Sequence, residues 1–303
     1  MYTVFPFAAA LLFVLQSLLL KRVRGGQREA LVLHASYMLL VGAACLVVWA
    51  GSGSFEVSPA TVGVGLFYGI DFSLTMIVYA RALATGPLSY SSFFFSASML
   101  IPVVASSLFW QERLSAAQGI GLVLFLVSFY FILVLDGKGR GSRPQRIWYL
   151  YALAAFVLNG LMSVFGKLHQ TTVGGETVAF LGIGFLVASA VAILGALVRF
   201  GGIPNPTRSG DNAAGIGSLV RSSLADKASR LIVIGIAMTT GIGNALVIWL
   251  TPKLPGAFLF SSVNGSIVVG LLLVSRFIYG EKLSLSGWLG AGMGVTAIIL
   301  VSV

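Results

Sequence analysis

The sequence predicts an all-α integral membrane protein, with ten transmembrane helices arranged as two inverted five-helix repeats. Three observations carry that expectation. Of the 303 residues, 57% are hydrophobic and only 9% charged, and mean hydropathy is +0.98; a soluble domain carries about a quarter charged residues, so a water-facing surface cannot be covered. Ten apolar runs each approach the roughly 20 residues that a helix needs to cross a bilayer. The second half of the chain repeats the first.

The runs are Tyr2–Leu20, Ala30–Ala50, Pro59–Ala84, Leu88–Trp110, Ala116–Leu135, Trp148–Leu168, Thr177–Val198, Leu231–Thr251, Gly256–Tyr279 and Ser286–Val303. The 37 glycines do not argue against helix, because glycine lets membrane helices approach closely. The first run lacks a basic segment before it and is too long for a signal-peptide core, so it is expected to be a retained helix.

The repeat is legible at helix junctions. The segment from Gly86 aligns with the segment from Pro255 at an offset of 169, bringing Gln111-Glu112-Arg113-Leu114-Ser115 onto Gly280-Glu281-Lys282-Leu283-Ser284. Gly121 then meets Gly290, and Ser92 meets Ser261. Lys21 and Lys167, at the ends of spans one and six, are 146 residues apart, and the polar connector from Gly201 to Arg230 accounts for the growth in offset. The organisation is therefore a first half over 1–136, a glycine- and charge-rich linker over 137–147, and a second half over 148–303 with a polar loop over 201–230. Five is odd, so the second half enters the membrane opposite to the first, an architecture of transporters that meet at the midplane. Within the loop, Ile216, Leu219, Val220 and Leu224 share one helical face, which predicts a short amphipathic helix on the membrane surface; an irregular loop is the alternative.

The net charge of +10 is not a nucleic-acid signature, because the basic residues lie in connectors and at span ends. Odd-numbered connectors hold 16 of the 19 Lys and Arg, leaving Arg113, Lys167 and Lys253 for the even ones. The positive-inside rule then places both termini outside the cytoplasm. A lone cysteine, Cys45, excludes an intrachain disulfide, and no Cys/His spacing suits a metal. His34 and His169 read as interfacial residues, and Trp110, Trp148 and Trp288 as interfacial anchors. No nucleotide-binding loop, paired carboxylates or Ser/His/Asp set is present, which predicts neither enzyme nor cofactor.

Asp71 lies near the middle of span three, where a carboxylate costs several kcal/mol unless a partner, a proton or a hydrated cavity relieves it. Gly65, Tyr68, Asp71, Thr75 and Tyr79 recur at spacings of three and four and form one stripe. Facing a hydrated cavity, Asp71 can exchange a proton, or it can pair with a cationic group of a solute while the rings add cation–π contacts. The structural alternative is an acid paired with Arg81 or bonded between helices. Asn159, Asn244 and Asn264 can read a solute or tie helices together. In span four, Phe94 and Ser98 complete the candidate set, and Pro102 predicts a bend. Gly290 and Gly294 form a GxxxG pair that is expected to contact span five rather than a second copy.

Tyr79-Ala80-Arg81-Ala82-Leu83, Gly86-Pro87, the serine-rich span and the Glu-(Arg/Lys)-Leu-Ser turns resemble the drug/metabolite transporter superfamily of the EamA-like, ten-helix type. The resemblance covers essentially the whole chain. It implies secondary transport of small polar or amphipathic solutes through a central cavity lined by spans 1, 3, 4, 6, 8 and 9. It implies no universal substrate motif. Gln111 departs from the glycine usual in the first turn, and the charge bias departs from the cytoplasmic termini usual in the family. The expected function is export of a small metabolite, amino acid or amphipathic cation by alternating access, with a small-molecule substrate and the lipid bilayer as partners and a monomer or weak homodimer as the assembly. The rivals are a lipid-linked substrate flippase and a non-transporting scaffold subunit.

Overall fold

The computed structural model describes residues 2–22, 27–53, 56–85, 88–135, 146–200, 227–277 and 284–302. The described residues form eleven α-helices: α1 (Phe5–Arg22), α2 (Gln27–Gly51), α3 (Pro59–Thr85), α4 (Leu88–Ala97), α5 (Leu100–Phe109), α6 (Ala116–Phe129, continued by a π-helical turn over Tyr130–Leu135), α7 (Arg146–Thr172), α8 (Thr177–Phe200), α9 (Lys227–Leu250), α10 (Gly256–Phe277) and α11 (Leu285–Ser302). No strand occurs among them. Six helical stretches are long and apolar enough to cross a membrane: Tyr2–Leu20, Leu31–Gly51, Pro59–Ala82, Arg146–Thr172, Thr177–Leu197 and Arg230–Leu250. The other four predicted spans coincide with the shorter apolar helices Phe94–Phe109, Ala116–Phe129, Gly256–Leu271 and Leu285–Val301. Leu11, Val47, Leu108, Phe109, Ile120 and Leu285 stand exposed on the outside, as side chains facing hydrocarbon do. The amphipathic helix expected at 216–224 and most of the 137–147 linker lie outside the described residues.

The span predicted as Leu88–Trp110 is two helices. Ser98 and Met99 form a turn between α4 and α5. Pro102 explains the break: it has no N–H to give the Ser98 carbonyl, and its ring crowds that position. After α5 the chain turns sharply at Gln111, whose φ is +54°. That left-handed conformation favours glycine, the residue the resembling family carries there. Gln111→Gly is expected to raise the thermal midpoint in detergent, by relief of roughly 1 kcal/mol of backbone strain; an unchanged or lower midpoint counts against it.

Helix registers can be read from individual contacts. α3 and α8 run parallel, with Ser58 bonding Glu176 and Gly65 and Gly69 packed on Ile183 and Val187, each pair 118 residues apart. α3 and α7 run antiparallel, through Thr61 to His169, Phe67 to Phe165, and Ala82 clustered with Trp148. α1 and α9 run antiparallel likewise, with Phe5 against Trp249, Phe13 against Gly243 and Leu19 against Gly235. Several contacts come in pairs related by the sequence offsets. Gly160 packs on Ile101; moving 146 residues back and 169 forward gives Val14 and Gly270, which also touch. Ser128 donates to the Gly290 carbonyl at 2.6 Å, and their equivalents at the 169 offset, Ala297 and Gly121, are in contact too. Gly294 also faces Ser128, so this glycine pair packs on α6.

Two polar joints close one end of the bundle. His169 is fully buried rather than interfacial: its Nε2 meets the Thr61 hydroxyl at 2.9 Å, and its ring stacks on Phe180 at 4.3 Å. Ser58 Oγ contacts Thr61 Oγ1 at 3.0 Å, while its N–H and hydroxyl reach Glu176 Oε2 at 3.0 and 3.1 Å. The Thr61 hydroxyl and then Ser58 hold the Glu176 carboxyl below its ordinary range. A depressed carboxyl contributes stability that is present at neutral pH and lost as pH falls through its folded value. The gap between the thermal midpoints of wild type and Glu176→Gln, measured from pH 7 downward, should therefore narrow as pH falls below the usual glutamate value and through the lower folded one; a gap that does not narrow in acid contradicts the assignment. The second joint is the pair Lys167–Glu112. Lys167, counted in sequence among the connector charges, is 2% exposed. Its Nζ also donates to Ser106 Oγ at 2.8 Å, and the Gly256 N–H donates to Glu112 Oε2 at 2.6 Å. Trp148 is likewise buried rather than an interfacial anchor, and donates to Ser91 Oγ at 2.8 Å.

Candidate functional site

Asp71 is 5% exposed, and its Oδ2 has no hydrogen-bond partner. Among the described residues it makes no ion pair, so the pairing with Arg81 weighed from the sequence is not present. Helical spacing brings Tyr68 and Thr75 onto the same face. The Tyr68 ring is wedged against Phe180, Phe72 and Phe185, with centroids 5.0, 6.0 and 6.2 Å away. Only its hydroxyl extends further, donating to Asn244 Oδ1 on α9 at 3.2 Å. Asn244 Nδ2 in turn donates to the Thr240 carbonyl at 2.8 Å. The contacts Tyr68–Asn244 and Gly166–Ile248, with the register of α3 on α7, make α9 antiparallel to α3. Three residues on from Tyr68 along α3 is three residues back from Asn244 along α9, so Asp71 is level with 240–241. The 118 register places Asp71 level with Ser189, whose hydroxyl donates to the Ala35 carbonyl at 2.9 Å.

Other candidates gather at the α4–α5 break. Asn159 Nδ2 on α7 donates to Ser98 Oγ at 2.6 Å and to the Phe95 carbonyl at 3.1 Å. The Tyr79 ring lies 4.2 Å from that of Phe95. Position 159 is level with Asp71 on the α3–α7 register, so the break faces the same depth of the bundle. Phe94 lies apart from this group, with its ring edge-on to Trp148 at 5.9 Å. Asn264 bonds back to its own helix at the Phe260 carbonyl, 2.9 Å away. The structure thus places Tyr68, Asp71, Thr75 and Asn244 in one layer, and gathers Asn159 and Ser98, with Tyr79 from the α3 stripe, in an adjoining one. Sequence reasoning did not single out Thr240 or His169 as part of any site. The one signal for Thr240 was its position a turn before Asn244.

A groove of about 420 Å³ lies between α2, α8 and α9, lined by apolar side chains including Val41, Cys45, Leu181, Ala237 and Gly241. A second cavity, about 460 Å³, lies on the outer face of α6. Neither includes Asp71.

These features define a membrane-embedded, all-α protein with a buried polar layer where α3 and α9 face one another. No family model matches the chain. It is 28% identical over 233 residues to an uncharacterized 38 kDa protein in the 23S RNA operon of Thermoproteus tenax, an alignment covering 73% of this chain and 54% of that protein. The chain therefore spans about half the length of that curated relative. A solved structure, described only as the crystal structure of a protein, superposes with a TM-score of 0.75 over 100% of this chain and 98% of the other, at 19% identity. That likeness shows the fold alone.

Proposed function

We propose that this protein is a secondary transporter of a small organic solute, built from ten spans in two inverted five-helix halves. The halves rock about the layer at Asp71 and expose it alternately to each side. The single observation that carries the reading is a buried intramembrane carboxylate, Asp71, with an unpartnered oxygen level with polar side chains of the other half. Such a group is costly in place unless it exchanges a proton or a cation during the working cycle. The paired contacts at offsets of 146 and 169 support the inverted halves, and the resemblance to drug/metabolite transporters points the same way. No enzymatic step is part of this reading. The charge bias supports termini outside the cytoplasm, and reporter fusions at Val303 test that. In this reading the Tyr68–Asn244 bond links the halves across the layer and breaks as they rock. In proteoliposomes screened with amino acids and quaternary amines, with and without a pH gradient, wild type is expected to accumulate a solute. Asp71→Asn should reduce gradient-driven uptake by at least about tenfold, the scale set by losing one charged interaction. Wild-type rates in a folded Asp71→Asn protein overturn the proposal.

One observation favours a second reading, a flippase for a lipid-linked substrate. The apolar groove between α2, α8 and α9 opens to the outer face, where Val48, Met238 and Ile242 of its lining are exposed, as a lipid tail requires. Accelerated flipping of a fluorescent phospholipid in vesicles, without solute uptake, selects that reading.

A further inference from the structure

We propose that Asp71, Thr75, Thr240 and Asn244 form a binding site for one small monovalent cation, held through oxygen. The inference deepens the transport reading, on which it rests for its role, by naming the chemical class that the layer takes. Many hydroxyls in these helices turn back onto their own backbone, although those of Ser73, Ser261, Ser262 and Ser266 are, like those of the two threonines of the layer, buried without a partner. Ser17, Ser36, Thr85, Thr239 and Thr296 each donate to the carbonyl four residues earlier, at 2.8–3.0 Å. Thr75 and Thr240 do not. Both are fully buried, and both Oγ1 atoms are without a partner. Thr239, the neighbour of Thr240, makes the usual backbone bond, so the local helix permits it. In each case the unpartnered hydroxyl lies one turn from a polar group of the layer: Thr75 from Asp71, and Thr240 from Asn244. The antiparallel register then brings Thr240 level with Asp71 across the gap between α3 and α9.

The donor set decides the ligand. It offers a carboxylate oxygen, two hydroxyl oxygens and the Asn244 carbonyl oxygen, which already accepts from Tyr68 and retains a second lone pair. Hard cations are held by such oxygens. The charge fits a single positive charge: no group of three His, Cys, Asp or Glu suited to a metal occurs among the described residues, and one carboxylate balances one monovalent ion. His34, the basic side chain that stacks on Phe72 beside this layer, is bonded to Tyr37 through Nδ1 at 2.6 Å, while its buried Nε2 is without a partner. One carboxylate beside hydroxyl and amide oxygens suits an alkali ion or a primary ammonium group.

The test uses the full chain in detergent at pH 7 and constant ionic strength, with N-methylglucamine chloride as the inert salt. Sodium chloride and methylammonium chloride are titrated in separate arms, and the thermal midpoint is followed. A saturable rise of a few degrees in the sodium arm identifies a coupling ion, and in the methylammonium arm the ammonium head of a solute. The effect should vanish in Asp71→Asn. It should need about tenfold more cation in Thr240→Val, the scale of one lost ion–dipole contact, and be retained in Thr240→Ser. Thr75→Val gives an independent second reading should Thr240→Val fail to fold. No saturable rise in either arm, the result expected if Asp71 binds only a proton, overturns the site. Wild-type cation affinity in both valine variants overturns it too. Uptake of a solute without cation binding leaves the transport reading standing and removes this inference; cation binding without any uptake does the reverse.

Discussion

Gly69→Val is expected to leave little folded protein after extraction, at a cost of about 3 kcal/mol or more, the upper part of the range for overpacking. α3 and α8 are in tight contact at Gly69. A β-carbon there would stand 2.8 Å from Val187 Cβ and 3.1 Å from the Ala188 nitrogen, and closer still to the Gly184 carbonyl oxygen. Backbone atoms of a helix cannot step aside as a flexible side chain can. The two helices must separate, and α3 is the helix that carries Tyr68, Asp71 and Thr75 into the polar layer. The loss should therefore appear first as a fall in thermal midpoint and monodispersity on size exclusion. Gly63→Ala is the control, because nothing stands within 4 Å of a β-carbon at that position. A Gly69→Val protein with the wild-type midpoint would show that α3 and α8 are not held at this approach.

The same contact shows where sequence reasoning succeeds and where it stops. Run length and apolarity suffice to place helices, because a bilayer leaves the backbone few alternatives. Helical periodicity placed Tyr68, Asp71 and Thr75 on one face. Registers were out of reach, however, since the 118-residue step between α3 and α8 depends on which small residues meet. Position at the end of an apolar run misled for Lys167 and Trp148: both look interfacial until a partner on another helix, Glu112 or Ser91, comes into contact. The break at Ser98–Met99 was readable only as a bend, because Pro102 announces a lost hydrogen bond and not how the chain absorbs it. Thr240 was passed over for a subtler reason. What distinguishes it from Thr239 is the direction of its hydroxyl, and composition and spacing do not contain that.

Glu112→Ala is expected to destabilise the protein by about 3–5 kcal/mol, the cost of stranding one partner of a buried ion pair. Lys167 would keep its ammonium group on a side chain that is 3% exposed, with Ser106 Oγ and the Trp110 ring, whose centroid lies 5.0 Å away, as its remaining contacts. Removing the other partner should be milder. In Lys167→Met the Glu112 carboxylate, 27% exposed, still reaches water and still accepts from the Gly256 N–H. There it sits at the N-terminus of α10, where the helix dipole favours a negative charge. The double variant Glu112→Ala/Lys167→Met strands no charge and should recover most of the loss. Its residual deficit is about 1 kcal/mol, from the Gly256 N–H left without its acceptor. Thermal unfolding of the four proteins in one detergent forms a complete cycle. A coupling of more than about 2 kcal/mol is expected for groups in direct contact, whereas additive single effects would mean that the joint holds α5, α7 and α10 by packing and not by charge.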